Sequence, residues 1–157
     1  CIRDRLGAQA WVKAHKDKLP KIANLFNRDG GPEPPVGISV PQAMYDDFVK
    51  ISEPIQKIRP DYPFEVKVRE PRKRPTRMGG TDASVFAIEG VPTLGFTTED
   101  FKGYDFDYGE IWHTERDLYT KNIPEYQEHT ATVTAIIALG VANLDKQLSR
   151  EGLYTEE

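Results

Sequence analysis

The most constraining feature of the sequence is an amphipathic helix pattern that leads directly into a strand pattern. Residues 39–42 (Ser-Val-Pro-Gln) match a capping box with proline in the first turn, which predicts a helix start. Behind it, apolar residues recur at helical spacing, and Pro54 within this pattern is expected to kink the helix. Residues 64–69 then alternate apolar and charged side chains, which predicts a strand with one exposed face. The apolar helix positions are Met44, Phe48, Ile51, Ile55 and Ile58.

Similar patterns before and after this unit predict further alternation of helices and strands. Residues 7–18 predict a helix, and residues 21–26 predict a strand that the following Asn-Arg-Asp-Gly-Gly run breaks. Residues 91–96 predict a buried strand, and residues 124–150 predict one long final helix. We therefore predict an α/β fold, with a mostly parallel sheet flanked by helices, in which residues 1–157 form a single domain.

Composition excludes several classes of protein. A chain of 157 residues with 38% hydrophobic and 29% charged residues is typical of one ordinary globular domain. The net charge of −4 does not favour nucleic acid as a partner, and no apolar run is long enough to span a bilayer. Because Cys1 is the only cysteine, one chain cannot form a disulfide framework or a thiolate zinc site. The chain does not begin with Met, so we expect a processed protein or a fragment.

Two charged stretches stand out. Residues 67–77 hold six Lys or Arg side chains and only one acidic residue, Glu70. This stretch is interpreted as a solvated loop, with attraction of an anionic substrate group as the alternative, since no aromatic residue is interleaved for nucleic-acid binding. Residues 98–110 mix acidic and aromatic side chains without the ligand spacing of a calcium loop. We interpret them as a long loop that packs its aromatic residues over a pocket or a partner chain.

The candidate site residues lie near glycine-rich turns. In residues 79–84 (Gly-Gly-Thr-Asp-Ala-Ser), two glycines permit a turn, Thr81 is a good helix N-cap, and Asp82 falls in the first turn. His113 follows a polar loop, where a metal ligand or an acid/base histidine is often placed. His15 and His129 fall within predicted helices and are interpreted as packing residues.

Asp29 is the second candidate for chemistry. It follows a predicted strand and precedes two glycines, which places its carboxylate at the carboxyl edge of the sheet, where open α/β folds bind ligands. The alternative is a simple Asp-Gly turn. An aspartate and a histidine are normal zinc ligands, but two ligands do not complete a site. Ser84 is not expected to be a nucleophile, because it lies in a helix start and not on a nucleophile elbow.

Five motifs occur in a fixed order along the chain: residues 6–11 (Leu-Gly-Ala-Gln-Ala-Trp), 26–31 (Phe-Asn-Arg-Asp-Gly-Gly), 79–86 (Gly-Gly-Thr-Asp-Ala-Ser-Val-Phe), 90–92 (Gly-Val-Pro) and 112–117 (Trp-His-Thr-Glu-Arg-Asp). Together they resemble the C-terminal half of the di-zinc exopeptidases. That family contains bacterial aminopeptidases and plasma glutamate carboxypeptidase-like enzymes. The resemblance covers nearly the whole chain and implies an incomplete zinc-exopeptidase-like domain.

The resemblance also implies roles for individual residues. Asp29 and His113 match zinc ligands, whereas Thr81 and Asp82 match positions near the substrate pocket. The implied mechanism uses two zinc ions that share a water or hydroxide, with a glutamate as general base. The sequence departs from the family at residues 1–5, where a Glu-Glu pair is expected and no glutamate occurs. The upstream histidine and bridging aspartate would precede residue 1.

We therefore expect a zinc-dependent exopeptidase that is represented here by its C-terminal portion and is inactive alone. The resemblance implies a peptide substrate and favours a secreted or periplasmic location. The alternative is a non-catalytic module of the same fold that binds peptide or self-associates. A fragment of this kind is expected to expose a sheet edge and to form homo-oligomers.

Overall fold

A small mixed sheet forms the centre of the fold. The computed structural model describes residues 5–155, so Cys1 and the other positions before Arg5 lie outside the described part. The strands are β1 (Pro35–Val40), β2 (Glu65–Val68) and β3 (Phe96–Thr98), in the order β2-β1-β3. Strand β1 is parallel to β2 and antiparallel to β3. The predicted α/β class and the strand within residues 64–69 are confirmed, whereas the mostly parallel character is not.

Five α-helices surround the sheet in the described part of the chain: α1 (Leu6–Ala14), α2 (Tyr45–Ile58), α3 (Ala83–Ile88), α4 (Tyr108–Ile111) and α5 (Pro124–Ala142). Short 3₁₀ segments occur at Lys16–Lys21, Gln42–Met44 and Tyr119–Lys121. None of the helices described is long and apolar enough to cross a membrane.

The predicted start of α2 is wrong. Ser39 lies in β1, where it pairs with Lys67, so it does not cap a helix. A 3₁₀ turn after Pro41 intervenes, and α2 begins at Tyr45 without a side-chain cap and continues past Pro54. Ser39 and Val40 belong to β1 instead, because pairing with β2 satisfies the backbone hydrogen bonds at this end of the strand.

The two outer helices are shorter than predicted. Helix α1 ends at Ala14, and the chain continues as a 3₁₀ segment that contains Pro20. Helix α5 ends at Ala142, with Asn143 in the C-cap position. Leu148 is nevertheless buried in the core. An apolar residue predicted for the end of the helix is therefore buried from a segment without regular secondary structure.

The strands predicted at residues 21–26 and 91–96 are mostly wrong. Both segments lie outside the sheet, apart from Phe96 at the start of β3. They pair through one side chain: the Asn24 amide donates to the Leu94 carbonyl at 3.2 Å and accepts from the Leu94 N–H at 2.8 Å. A single backbone bond, from Leu25 N to Pro92 O at 2.9 Å, completes the contact. The asparagine side chain thus replaces strand pairing.

Buried side chains form two clusters. The larger joins β1 to α2 and α5 through Ile38, Val40, Phe48, Ile51, Ile55, Val133 and Ile137. The smaller joins α1 to α3 through Val12, Leu19, Val85, Phe86 and Val91. The second cluster fixes α3, and with it the preceding glycine-rich turn, next to the N-terminal helix.

Candidate functional site

The first wall of the candidate site is the loop that contains Asp29. This loop connects the first 3₁₀ segment to β1, and Asp29 itself is exposed. The Arg28 guanidinium closes the loop by donating to the carbonyl oxygens of Gly31, at 2.7 Å, and Glu33. These bonds hold the backbone on both sides of Asp29 in one conformation.

Gly31 brings this loop against the segment that precedes His113. A Cβ atom at Gly31 would lie 2.5 Å from Cζ of Phe106 and 3.2 Å from Cδ2 of Tyr108. Ordinary carbon contacts are about 3.5–4.0 Å, so only glycine permits this approach without movement. Gly31 of the Asp-Gly-Gly sequence therefore allows close packing of the two loops, in addition to the role of this sequence in a turn.

The second wall is the turn that contains His113. The Asp107 carboxylate caps α4 by accepting from the Gly109 N–H at 2.7 Å. After α4, His113 adopts a left-handed conformation with φ of 58°, and its ring stacks on Trp112 with centroids 4.5 Å apart. The Thr114 hydroxyl donates to the Glu110 carbonyl at 2.8 Å, which ties the turn back to the helix.

The third wall is the glycine-rich turn before α3. Asp82, and not Thr81, occupies the N-cap position, and no side chain caps this helix. Instead, the Ser84 hydroxyl donates to the Thr81 carbonyl at 2.7 Å, and Arg5 donates to the Gly79 carbonyl. The prediction that Thr81 is the N-cap is wrong, because the helix begins one residue later than the turn chemistry suggested.

These three walls enclose an open cavity of about 710 Å³. Asp29, Thr81 and His113 line this cavity, although they are far apart in the sequence. Asp82 is not among its lining residues. Asp117 also lines the cavity, although sequence reasoning did not single it out. Its presence in the same 112–117 motif as His113 could have identified it as a candidate.

The donor chemistry of this cavity fits part of a zinc site. Carboxylate oxygen and imidazole nitrogen are both zinc ligands, and Asp29, His113 and Asp117 supply them. Within residues 5–155, however, no group of three or more His, Cys, Asp or Glu side chains is placed to hold a metal ion. The cavity therefore contains donor types that suit the zinc implied by the family resemblance, but the described residues do not form a complete site.

A hydrogen-bonded cluster anchors the acidic, aromatic loop that leads to α4. The buried Tyr126 hydroxyl of α5 donates to the Asp100 carboxylate at 2.6 Å and accepts from the Lys102 N–H at 3.0 Å. Burial, assisted by Asp100, raises the pKa of Tyr126 to about 12, so the phenol remains a donor near neutral pH. Tyr104 packs edge-on against Tyr126. The predicted packing of aromatic residues is therefore seen for Tyr104, whereas packing of this loop over a partner chain stays a prediction.

The other two histidines are structural, as predicted. His129 is fully buried, donates from Nε2 to the Pro35 carbonyl at 3.0 Å, and stacks on Tyr62 with centroids 3.9 Å apart. Burial lowers its pKa. His15 is the C-cap residue of α1 and stacks on Trp11.

Comparison with known proteins identifies one family. The family model described as Peptidase family M28 matches residues 5–137. Among solved structures, the chain is similar to a Peptidase M28 precursor from Shewanella amazonensis SB2B, with 22% identity and a TM-score of 0.65. The match covers 92% of this chain but only 30% of the Shewanella chain. No curated protein matches the sequence.

Proposed function

Because this chain belongs to peptidase family M28, we propose that it supplies part of the active site of a zinc-dependent exopeptidase. The observation that carries the proposal is that Asp29 and His113 line one cavity together with Thr81. A metallopeptidase needs metal ligands and a substrate-binding wall in the same place, and these three residues line the cavity from three different loops.

The proposed roles follow from chemistry and position. Asp29 offers a carboxylate and His113 an imidazole nitrogen, while Thr81 presents a hydroxyl to a peptide. Asp82 supports this wall from the N-cap position of α3, where its negative charge is favourable. Bound zinc would polarise the scissile carbonyl and lower the pKa of a water molecule.

We further propose that the 157-residue chain does not hydrolyse peptides alone. The family resemblance implies a site with two zinc ions and a glutamate base, and Asp29 and His113 would be only two of its five ligand residues. The exopeptidase activity, acting on a peptide substrate, then belongs to a protein in which further residues complete the site. Family membership also favours a secreted or periplasmic location, which cell fractionation would test.

Zinc titration of matched variants tests the proposal. We expect D29N and H113N each to weaken zinc binding at least about tenfold, since each removes a ligand. D17N and H15N make the same chemical changes outside the cavity and should bind zinc like the parent chain. If D29N and H113N also bind zinc like the parent chain, the assignment is wrong. Zinc-dependent peptide hydrolysis by the parent chain, lost in D29N, would overturn the proposed inactivity.

The second candidate function is a non-catalytic, self-associating module of the same fold. It is favoured by the sheet, because β2 and β3 both have an unpaired edge within the described residues and β2 is largely exposed. Sedimentation equilibrium over a range of protein concentrations tests it. A monomer that binds zinc through Asp29 and His113 supports the peptidase proposal, whereas a stable oligomer unaffected by D29N supports the alternative.

A further inference from the structure

A second cavity lies beside the one that contains Asp29 and His113. It measures about 650 Å³, and the two cavities share three lining residues, Gly31, Ile111 and Asp117. Gly31 has no side chain that would separate the two spaces, and the Ile111 side chain is largely buried. The proposed peptidase site therefore adjoins a second space that neither of the proposed zinc ligands lines.

Exposed apolar side chains line this second cavity. Leu118 and Tyr119 follow the 112–117 motif directly and are 58% and 90% exposed. The Asn122 N–H donates to the Tyr119 carbonyl at 3.0 Å, which closes the 3₁₀ turn that carries the tyrosine. Covering large apolar side chains removes their surface from water, which is favourable. Exposed apolar surface that borders a cavity is therefore typical of a ligand-binding wall.

The two cations of this cavity already have partners. The Arg28 guanidinium donates to the carbonyl oxygens of Gly31 and Glu33, and Lys121 forms an ion pair with Glu110 at 3.4 Å. An anionic ligand group would have to compete with these contacts. The lining therefore favours an apolar ligand group over an anionic one.

The polar side chains of the cavity suit a peptide backbone. Gln127 lines it with an exposed amide, which offers both donors and an acceptor. The Thr130 hydroxyl also lines it and donates to the Tyr126 carbonyl at 2.8 Å, so its oxygen remains available as an acceptor. A peptide presents the matching N–H and C=O groups together with side chains.

We propose that the second cavity binds an apolar side chain of the peptide substrate, from a residue beyond the one held at Asp29 and His113. This inference rests on the proposed peptidase function, since a peptide bound at the candidate zinc ligands continues into the adjoining space. It specifies the substrate class as peptides with an apolar residue at this position, in preference to an acidic residue. Leu118 and Tyr119 are the specificity-determining residues.

Peptide binding by the full chain in excess zinc tests the proposal. The probe is tetra-alanine, in which each position is replaced in turn by leucine or by aspartate, and calorimetry measures the affinity. We expect leucine at one position to raise the affinity about tenfold, because its side chain leaves water there, and aspartate at that position to give no gain. The leucine gain should be lost in L118A and in Y119A.

Two variants serve as controls. Y119F keeps the aromatic ring, and L139A truncates a leucine of α5 that is 63% exposed and lines neither cavity. Both should retain the leucine gain. Circular dichroism checks that each variant is folded; if L118A unfolds, the comparison of Y119A with Y119F decides the question, because the Tyr119 side chain is almost fully exposed.

Four results would overturn the proposal: no position gains affinity from leucine, aspartate gives the same gain, the gain persists in both L118A and Y119A, or L139A abolishes it as well. The third result would place the leucine elsewhere, and the fourth would mean general apolar attraction. Failure of the peptidase proposal is recognised separately, because it appears as unchanged zinc affinity in D29N and H113N. The leucine gain depends on residues that do not line the zinc cavity.

Discussion

The close approach of two loops at Gly31 provides the sharpest test of how the candidate site is assembled. In a Gly31→Ala variant the new Cβ would lie 2.5 Å from Cζ of Phe106. Ordinary carbon contacts begin at about 3.5 Å, so the loop with Asp29 and the segment before His113 must separate by about 1 Å. Metal–ligand distances tolerate only about 0.2 Å.

We therefore expect G31A to weaken zinc binding by about 10–100-fold, the usual effect of disturbing residues that position metal ligands. Overpacking costs about 1–3 kcal/mol in a core, and the cost here should fall at the lower end because the Phe106 ring is only partly buried and can move. Competition with a chromophoric chelator measures the zinc affinity, and urea unfolding measures the stability. The loss of zinc-binding free energy, about 1.4–2.7 kcal/mol, should exceed the loss of stability, about 1 kcal/mol.

Gly30 supplies the matched control. A Cβ at Gly30 would lie 3.4 Å from Arg28 Nη1, which is nearly ordinary contact, so G30A should bind zinc like the parent chain. Removing the Phe106 ring in a G31A/F106A double variant should restore part of the affinity, since the clash is with that ring. Equal zinc affinities for G31A and G30A would refute the argument that loop contact at Gly31 positions the ligands.

Three further predictions concern the supporting structure. Gly140→Ala places a Cβ against the Ile51 side chain, between α5 and α2. Urea unfolding should show that the free energy of unfolding falls by about 1–3 kcal/mol, and truncating Ile51 should partly reverse this loss. An unchanged free energy of unfolding would mean that the helices can separate freely. Burial lowers the pKa of His129, so at acidic pH the unfolded state binds a proton that the native state does not. The free energy of unfolding should therefore decrease as the pH is lowered below about 6.5, by at most about 1.4 kcal/mol per pH unit. This pH-dependent component should be absent in H129Q. Asp100→Asn removes charge from an acceptor of three hydrogen bonds and should cost about 1–3 kcal/mol on urea unfolding; an unchanged midpoint would show that the loop is held by its aromatic packing alone.

Local sequence patterns predicted the elements whose signal is itself local. The spacing of Phe48, Ile51 and Ile55 identified α2, and the alternation in residues 64–69 identified β2. The same approach failed where a distant partner decides the structure. Ser39 resembled a cap, yet it lies in β1 because β2 is available to pair with it.

The pairing of residues near Asn24 with those near Leu94 could not be predicted for a similar reason. Apolar side chains made both segments resemble strands, but one asparagine amide provides most of the hydrogen bonds between them. For the site, motif order led to Asp29 and His113, and both line the cavity. The contribution of Asp117 and the dependence on Gly31 arise from loops that meet only in the folded chain.

The central proposal is that Asp29 and His113 are zinc ligands. Crystals of the chain grown with zinc would test it through an anomalous difference map at the zinc absorption edge. We predict zinc peaks about 2.0–2.2 Å from an Asp29 carboxylate oxygen and about 2.0–2.2 Å from a His113 ring nitrogen, as one shared ion or as two. A well-occupied zinc ion elsewhere, with neither side chain in contact with metal, would contradict the account.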